Sequence, residues 1–265
     1  QYMILQKKVS AAVSAEKSFF VDDVDYKLYQ AFCEETPSVF ETQSNDPRMK
    51  ELVELVSHVT PGNEPNLDFP CLFLTYFANA YFGVAQCCQI DALRSIIEQI
   101  KDECTKNILL TVVMSAMSAA ASTTTHFAQF LKVKSKSTCN NLLSKRKINI
   151  IEECKALLKE YRETGLCSKE GRAKSDCYNL DFSECLDLIT LDDHTLVYAD
   201  PPYFKEHYSR YYHVLNTLCL YDYPAMAVNP QTHELSIGRY REDRRVSDFG
   251  KKAKALGAFE TLITK

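Results

Sequence analysis

The chain has no C-x-x-C, no Cys/His pair at zinc-ligand spacing, no glycine before Gly62 and no G-x-G anywhere. The first two absences exclude the usual structural zinc sites, although cysteine itself is plentiful at 11 in 265 residues. Cys87 and Cys88 are adjacent, which is poor geometry for a framework disulfide, and the opening residues carry no signal-peptide pattern. The thiols are therefore expected to be reduced and the compartment cytoplasmic. The scarcity of glycine removes turns in which backbone approaches a bound nucleotide closely. No apolar run is long enough to span a bilayer: the longest, residues 108–121, contains Thr111, Ser115 and Ser118 and predicts a buried helix. Positive charge is also short, and a net charge of −4 argues against a protein that coats nucleic acid. Neither an internal repeat nor a low-complexity tract is present.

What is there is ordinary in bulk, with 46% hydrophobic and 25% charged residues, enough for one large domain or two small ones with an ample core. The informative stretch is Asp200-Pro201-Pro202-Tyr203. It follows Thr195-Leu196-Val197-Tyr198-Ala199, a β-branched and apolar run that reads as a buried strand with Asp200 at its carboxyl end. Two prolines stop such a strand and stiffen the loop. In an open α/β sheet the carboxyl ends of strands line the ligand crevice. A carboxylate, a proline carbonyl and an aromatic face gathered there suit chemistry on an exocyclic amine. Accepting both N–H hydrogens localises the lone pair that the ring otherwise withdraws, and a flipped base is held by edge hydrogen bonds and stacking.

On these residues the chain resembles the adenine-specific, Dam-like family of amino-methylating DNA methyltransferases. The likeness extends through His207-Tyr208-Ser209-Arg210-Tyr211-Tyr212-His213-Val214-Leu215. It includes Tyr76-Phe77-Ala78-Asn79-Ala80-Tyr81-Phe82-Gly83 and Thr125-His126-Phe127-Ala128-Gln129, and so covers most of the chain from about residue 70 onward. It implies an α/β fold, a Rossmann-like S-adenosylmethionine-dependent methyltransferase sheet with an inserted helical target-recognition domain. Residues 1–68 would form the N-terminal part of the core, 69–165 the helical insertion and 166–265 the catalytic part. Further strands would be expected after residue 265.

The resemblance also assigns roles. Asp200 would orient the amine, Pro201 and Pro202 would shape the loop with Pro201 supplying a carbonyl, and Tyr203 would stack on the base. Asp181 and Phe182 would meet the adenine of S-adenosylmethionine, the one cofactor implied, with no metal. Asp181 also reads as the cap of a helix over residues 183–189. Asp22 or Asp23 ends a second apparent strand, residues 17–21, where an acid accepts bonds from ribose hydroxyls; Asp23 also reads as the cap of a helix over residues 26–35. The family's F-x-G-x-G turn has no counterpart: Ile4-Leu5-Gln6-Lys7-Lys8-Val9-Ser10 stands in its place.

Charge is uneven. Residues 131–147 hold six basic and no acidic residues, among them Lys132 and Lys134, and residues 239–254 hold seven basic residues against three acids. Lys132, Lys134, Arg239, Arg241, Arg244 and Arg245, with Tyr208, Ser209 and Arg210 beside the catalytic loop, are candidate DNA contacts, or else a solvated loop and a solvated helix face. Helical spacing marks residues 90–100 and 148–161, while Tyr76, Asn79 and Tyr81 read as satisfied core residues or as contacts to DNA or cofactor. The leading expectation is a site-specific DNA adenine methyltransferase of a restriction–modification or related defence system. Its partners would be double-stranded DNA and, in such a system, a further subunit, with no membrane. The alternatives are a non-catalytic DNA-binding relative that lacks a working cofactor loop, and an RNA or protein methyltransferase.

Overall fold

A computed structural model describes residues 2–124, 126–164, 176–190, 192–202, 208–244 and 246–265. Among them every extended regular element is a helix. The first half runs α1 (Tyr2–Lys8), α2 (Ser10–Lys17), α3 (Tyr26–Glu34), α4 (Lys50–Ser57), α5 (Leu72–Tyr76) and α6 (Val84–Glu98). It continues with α7 (Glu103–Ala120), α8 (Lys136–Arg146), α9 (Ile150–Glu163), α10 (Phe182–Leu188), α11 (Tyr208–Leu220) and α12 (Ala255–Thr264). No strand forms among the described residues. The pairings present are isolated bridges, such as Met226 with Arg241 and Val228 with Leu235.

The expected Rossmann-like sheet is therefore overturned, and the two runs that suggested strands do something else. Lys17 closes α2, and the apolar residues after it make a turn in which Phe19 packs 5.1 Å from the Tyr29 ring and 5.3 Å from Phe32. Residues 195–199 form no regular element, with Leu196 92% exposed. Strand propensity describes fit to a pleated, half-buried surface, and here no neighbouring strand supplies one.

Helix starts follow local chemistry. Asp25, not Asp23, caps α3 by accepting from the Lys27 and Leu28 amides. Asn149 caps α9 in the same way through the Ile151 and Glu152 amides, and Ser135 forms a capping box with Thr138 at α8.

The hub is α6, which packs against α1, α2, α5, α7 and α9. Its predicted apolar stripe is only partly its buried face: Ile90 and Ile97 are inside but Ile96 is exposed, and Gln86, Gln89, Asp91 and Arg94 are buried with them. Each of these polar groups joins α6 to a distant element. Gln86 donates to the Lys145 and Ile148 carbonyls at 2.8 Å, and Gln89 accepts from the Ile150 amide at 2.8 Å. Arg94 donates to the Leu218 carbonyl at 2.9 Å and the Cys219 carbonyl at 3.2 Å, closing the C-terminus of α11.

At the start of α6 the buried Glu16 accepts from the Val84 and Ala85 amides at 3.1 Å. A Cβ at Gly83 would collide with that carboxylate. Burial pushes the Glu16 carboxyl up, against the pull of Arg146. Asp91 accepts from the Phe73 amide (2.8 Å), the Leu74 amide (2.9 Å) and the Tyr221 hydroxyl (2.6 Å). Burial pushes its carboxyl up to about 7.

The segment after α11 folds back on the α5 region. Tyr223 Oη accepts from the Cys71 amide at 3.1 Å, and the Tyr76 hydroxyl donates to the Pro224 carbonyl at 3.1 Å. The Tyr81 hydroxyl lies 2.8 Å from the Phe127 carbonyl and 2.9 Å from that of Gly238. Asn79, with φ at +51°, donates to Thr36 Oγ1. Tyr76, Asn79 and Tyr81 are thus buried residues, the two tyrosine hydroxyls paired and Asn79 bonded through Nδ2 while its Oδ1 finds no partner among the described residues; each fully buried aromatic contributes roughly 1.5–3 kcal/mol.

Candidate functional site

A cavity of about 920 Å³ lies between the start of α10, the start of α11 and the face of α12. Pro202, Asp181, Phe182, Tyr208 and Ser209 all line it. The capping box that starts α10 fixes Asp181: its carboxylate accepts from the Ser183 amide at 3.0 Å while its own amide donates to Glu184 at 3.3 Å. That box sets Phe182 at the first helical position, with its ring 4.9 Å from Phe249; Phe249 in turn packs 5.0 Å from Phe259 of α12. The wall from residue 246 onward includes Asp248 and Lys254, which belong to the basic stretch read from sequence as suited to phosphate, and Thr261, which was not singled out. Asp248 is held by Lys251 (2.7 Å) and Lys254 (3.3 Å), which lower its carboxyl pKa.

Of the Asp200-Pro201-Pro202-Tyr203 motif, Asp200 is exposed and the two prolines are half-buried, while Tyr203 lies outside the described residues. The sheet edge on which Asp200 was expected to stand is absent among the described residues, so its presentation rests on the stiff proline loop alone.

The acid pair Asp22 and Asp23 does not line the cavity. Both are exposed, and Asp23 pairs with Lys136 at 2.9 Å.

The predicted DNA contacts divide. Lys132 and Lys134 are exposed. Arg241 is 2% exposed and its guanidinium is committed to Asp222 at 2.7 Å and Asp243 at 2.8–2.9 Å. Arg239 donates to the Tyr76 carbonyl and lies over the Phe130 ring. Arg210 donates to the Tyr240 hydroxyl at 2.8 Å. Arg244 stacks on Tyr240, with its Cζ 4.7 Å from the ring centroid and its Nε buried without a hydrogen-bond partner. Arg245 lies outside the described residues.

Tyr208 and Ser209 also line a second cavity, of about 530 Å³, together with Arg241 and Arg244. His213 is part of its lining and is held between the Arg210 carbonyl (3.0 Å) and the Gly238 carbonyl (2.8 Å). Burial holds this imidazole neutral, pushed down to about 4. A neutral ring donates to just one of the two carbonyls.

The first cavity is adequate in size for an adenosine-sized ligand, and its lining joins an acid to phenyl rings. The purine end of S-adenosylmethionine fits that donor set. Neither a ribose-binding acid pair nor a glycine turn accompanies it. No cluster of His, Cys, Asp and Glu suited to a metal ion occurs among the described residues, and no described helix is long and apolar enough to cross a membrane. The chain matches no family model, no curated protein and no solved structure.

Proposed function

We propose that the chain is a DNA methyltransferase acting on the exocyclic amine of a flipped adenine, with S-adenosylmethionine as methyl donor. One observation supports this reading above others. Asp181, Phe182, Pro202, Tyr208 and Ser209, selected from sequence for a single chemistry, line one cavity. S-adenosylmethionine supplies an electrophilic methyl group when bound.

The chain's own residues bind and position. Phe182 offers a face to the donor's purine and Asp181 an acceptor for its amine. Asp200 and the Pro201 carbonyl accept the two N–H hydrogens of the target amine, drawing its lone pair out of the ring. Holding both reactants in attack geometry accounts for most of the rate in such a direct transfer. Lys132, Lys134 and Arg244 serve the phosphate backbone, which fixes register without reading sequence. The expected setting is a restriction–modification or related defence system, which stands as part of this proposal. The test is radiolabelled methyl incorporation into duplex DNA, which Asp200→Ala abolishes while leaving the circular dichroism spectrum unchanged. Near-normal turnover in that variant would remove the assignment.

The position of Asp22 and Asp23 away from the cavity, with no G-x-G, favours a second reading: a relative that binds DNA but is catalytically impaired. Calorimetric titration separates the two. Binding of S-adenosylmethionine that weakens in Phe182→Ala supports the enzyme; DNA binding without any heat from the cofactor supports the impaired relative.

A further inference from the structure

We propose that Tyr212 and His126 form a stacking site for an unpaired nucleobase of single-stranded DNA, adjoining through Tyr208 the cavity that holds Pro202 and Phe182. The inference rests on the reading of the chain as one that acts on DNA. Its test measures binding, not methyl transfer, so either can fail alone.

Tyr212 lies one helical turn beyond Tyr208 on α11. The two rings are 6.3 Å apart and near-perpendicular at 74°, and both residues remain 45% exposed. His126 reaches the same ring from a different part of the chain, at 5.7 Å and 44°. It is exposed, and its φ of +43° is in the left-handed region that a non-glycine residue enters at a cost. The loop is held in that state from both sides of His126's neighbour: the Phe127 amide donates to the Tyr211 carbonyl at 3.1 Å, and the Phe127 carbonyl accepts from the buried Tyr81. Strain is thus maintained to keep an imidazole beside tyrosine rings at the surface, where it contributes nothing to the core.

The surroundings select the ligand. The second cavity, which Tyr212 lines, is also lined by Asn179, Asn216 and Arg244, and by Asp243, whose carboxylate is paired with Arg241. An amide presents a donor and an acceptor side by side, the pattern of a base edge. Arg244, kept in place by Tyr240, supplies a cation suited to the adjoining phosphate. Exposed rings flanked by amides and an arginine form a stacking platform of the kind that tolerates any base, because every base has a π-face. A proline-rich peptide would use the rings but leave the guanidinium without a phosphate.

The probe is a short single-stranded oligonucleotide carrying a fluorescent adenine analogue that is quenched on stacking. The same oligonucleotide with an abasic site at that position serves as comparison. Wild type should quench the probe. Tyr212→Leu should abolish quenching and weaken binding about tenfold, within the range known for loss of one base–aromatic stack. Tyr212→Phe should keep both properties, and His126→Leu should lose part of each. The abasic strand should bind wild type as weakly as the intact strand binds Tyr212→Leu. Equal affinity of wild type for the intact and abasic strands overturns the proposal, because phosphate contacts alone would then account for binding. That comparison needs no variant, so it decides the matter even if Tyr212→Leu does not fold. Preferential binding of a proline-rich peptide over the oligonucleotide overturns it as well. An absence of stacking in a protein whose methyl transfer still depends on Asp200 would overturn this inference and leave the activity standing.

Discussion

Replacing Asp91 by asparagine should change how stability depends on pH, with a sign fixed by burial. The Asp91 carboxylate accepts three hydrogen bonds, from the Phe73 and Leu74 amides and the Tyr221 hydroxyl. Those donors favour the charged form, but desolvation outweighs them and raises the folded carboxyl to about 7. In the unfolded chain it titrates near 3.9. Between about pH 4 and 7 the folded state therefore keeps a proton that the unfolded state has released. Stability attributable to this group is fully present below about pH 4 and is lost as pH rises toward 7, at about 1.36 kcal/mol per pH unit, or roughly 4 kcal/mol in all. Buried His213, pushed down to about 4, acts in the opposite direction, losing stability as pH falls below its unfolded value near 6.5. The wild-type curve is thus a sum, and the difference between wild type and Asp91→Asn isolates Asp91. Asparagine does not titrate, so that difference should slope across the window. The variant also carries a constant loss of about 1–3 kcal/mol, because one backbone N–H now faces an amide donor. Asp91→Ala leaves all three donors unpaired and should cost ~3 kcal/mol or more. Urea unfolding followed by circular dichroism, from pH 4 to 8, measures all three proteins. Parallel curves for wild type and Asp91→Asn would refute the reasoning, since burial would then not govern the carboxyl.

Arg241→Ala should lower the urea midpoint by an amount worth about 1–3 kcal/mol without changing the slope of the transition. The four hydrogen bonds to Asp222 and Asp243 disappear, but both acids reach solvent and rehydrate. Asp243→Asn should cost under about 1 kcal/mol, as expected for a largely exposed partner. For DNA, removing Lys132, Lys134 and Arg244 together should reduce the salt dependence of binding by about 0.9 for each phosphate no longer neutralised; an unchanged dependence would assign these side chains to solvent. Gly83→Ala should destabilise α6 because the added methyl displaces Glu16 from the Val84 and Ala85 amides, and a melting temperature equal to wild type would contradict this.

The helices were legible where their signals are local. Ile151, Cys154, Leu157 and Leu158 at helical spacing announce α9 within the stretch expected over residues 148–161. The strands were not, because an apolar run of five residues carries no period of its own. Residues 17–21 were decided by Phe19 reaching Tyr29 and Phe32, and residues 195–199 by the lack of any strand to pair with among the described residues. Buried acids were invisible for a different reason. Glu16 meets its amide partners 68 and 69 residues later, and Tyr221 lies 130 residues from Asp91. Arg241 looked like a DNA contact because a sequence shows its charge but not Asp222 folding back to it. The cavity's first wall, from Asp181 to Ser209, was readable as a set of residue types; its second wall, on α12, carries no chemistry to mark it.

The bonds from residues 71–94 to residues 217–240 also bear on how the molecule tolerates interruption. They join stretches about 150 residues apart, such as Cys71 with Tyr223 and Tyr81 with Gly238. During synthesis the Phe73 and Leu74 amides therefore emerge long before Tyr221 completes the shell around Asp91. Yet chain continuity contributes only slowly with length to the closing of such loops, about 0.6 kcal/mol per doubling. A backbone cut between α9 and α10 would sever none of these bonds. Two pieces produced separately, one ending after α9 and the other beginning before α10, carry complementary halves of a single interior and should reassemble on mixing.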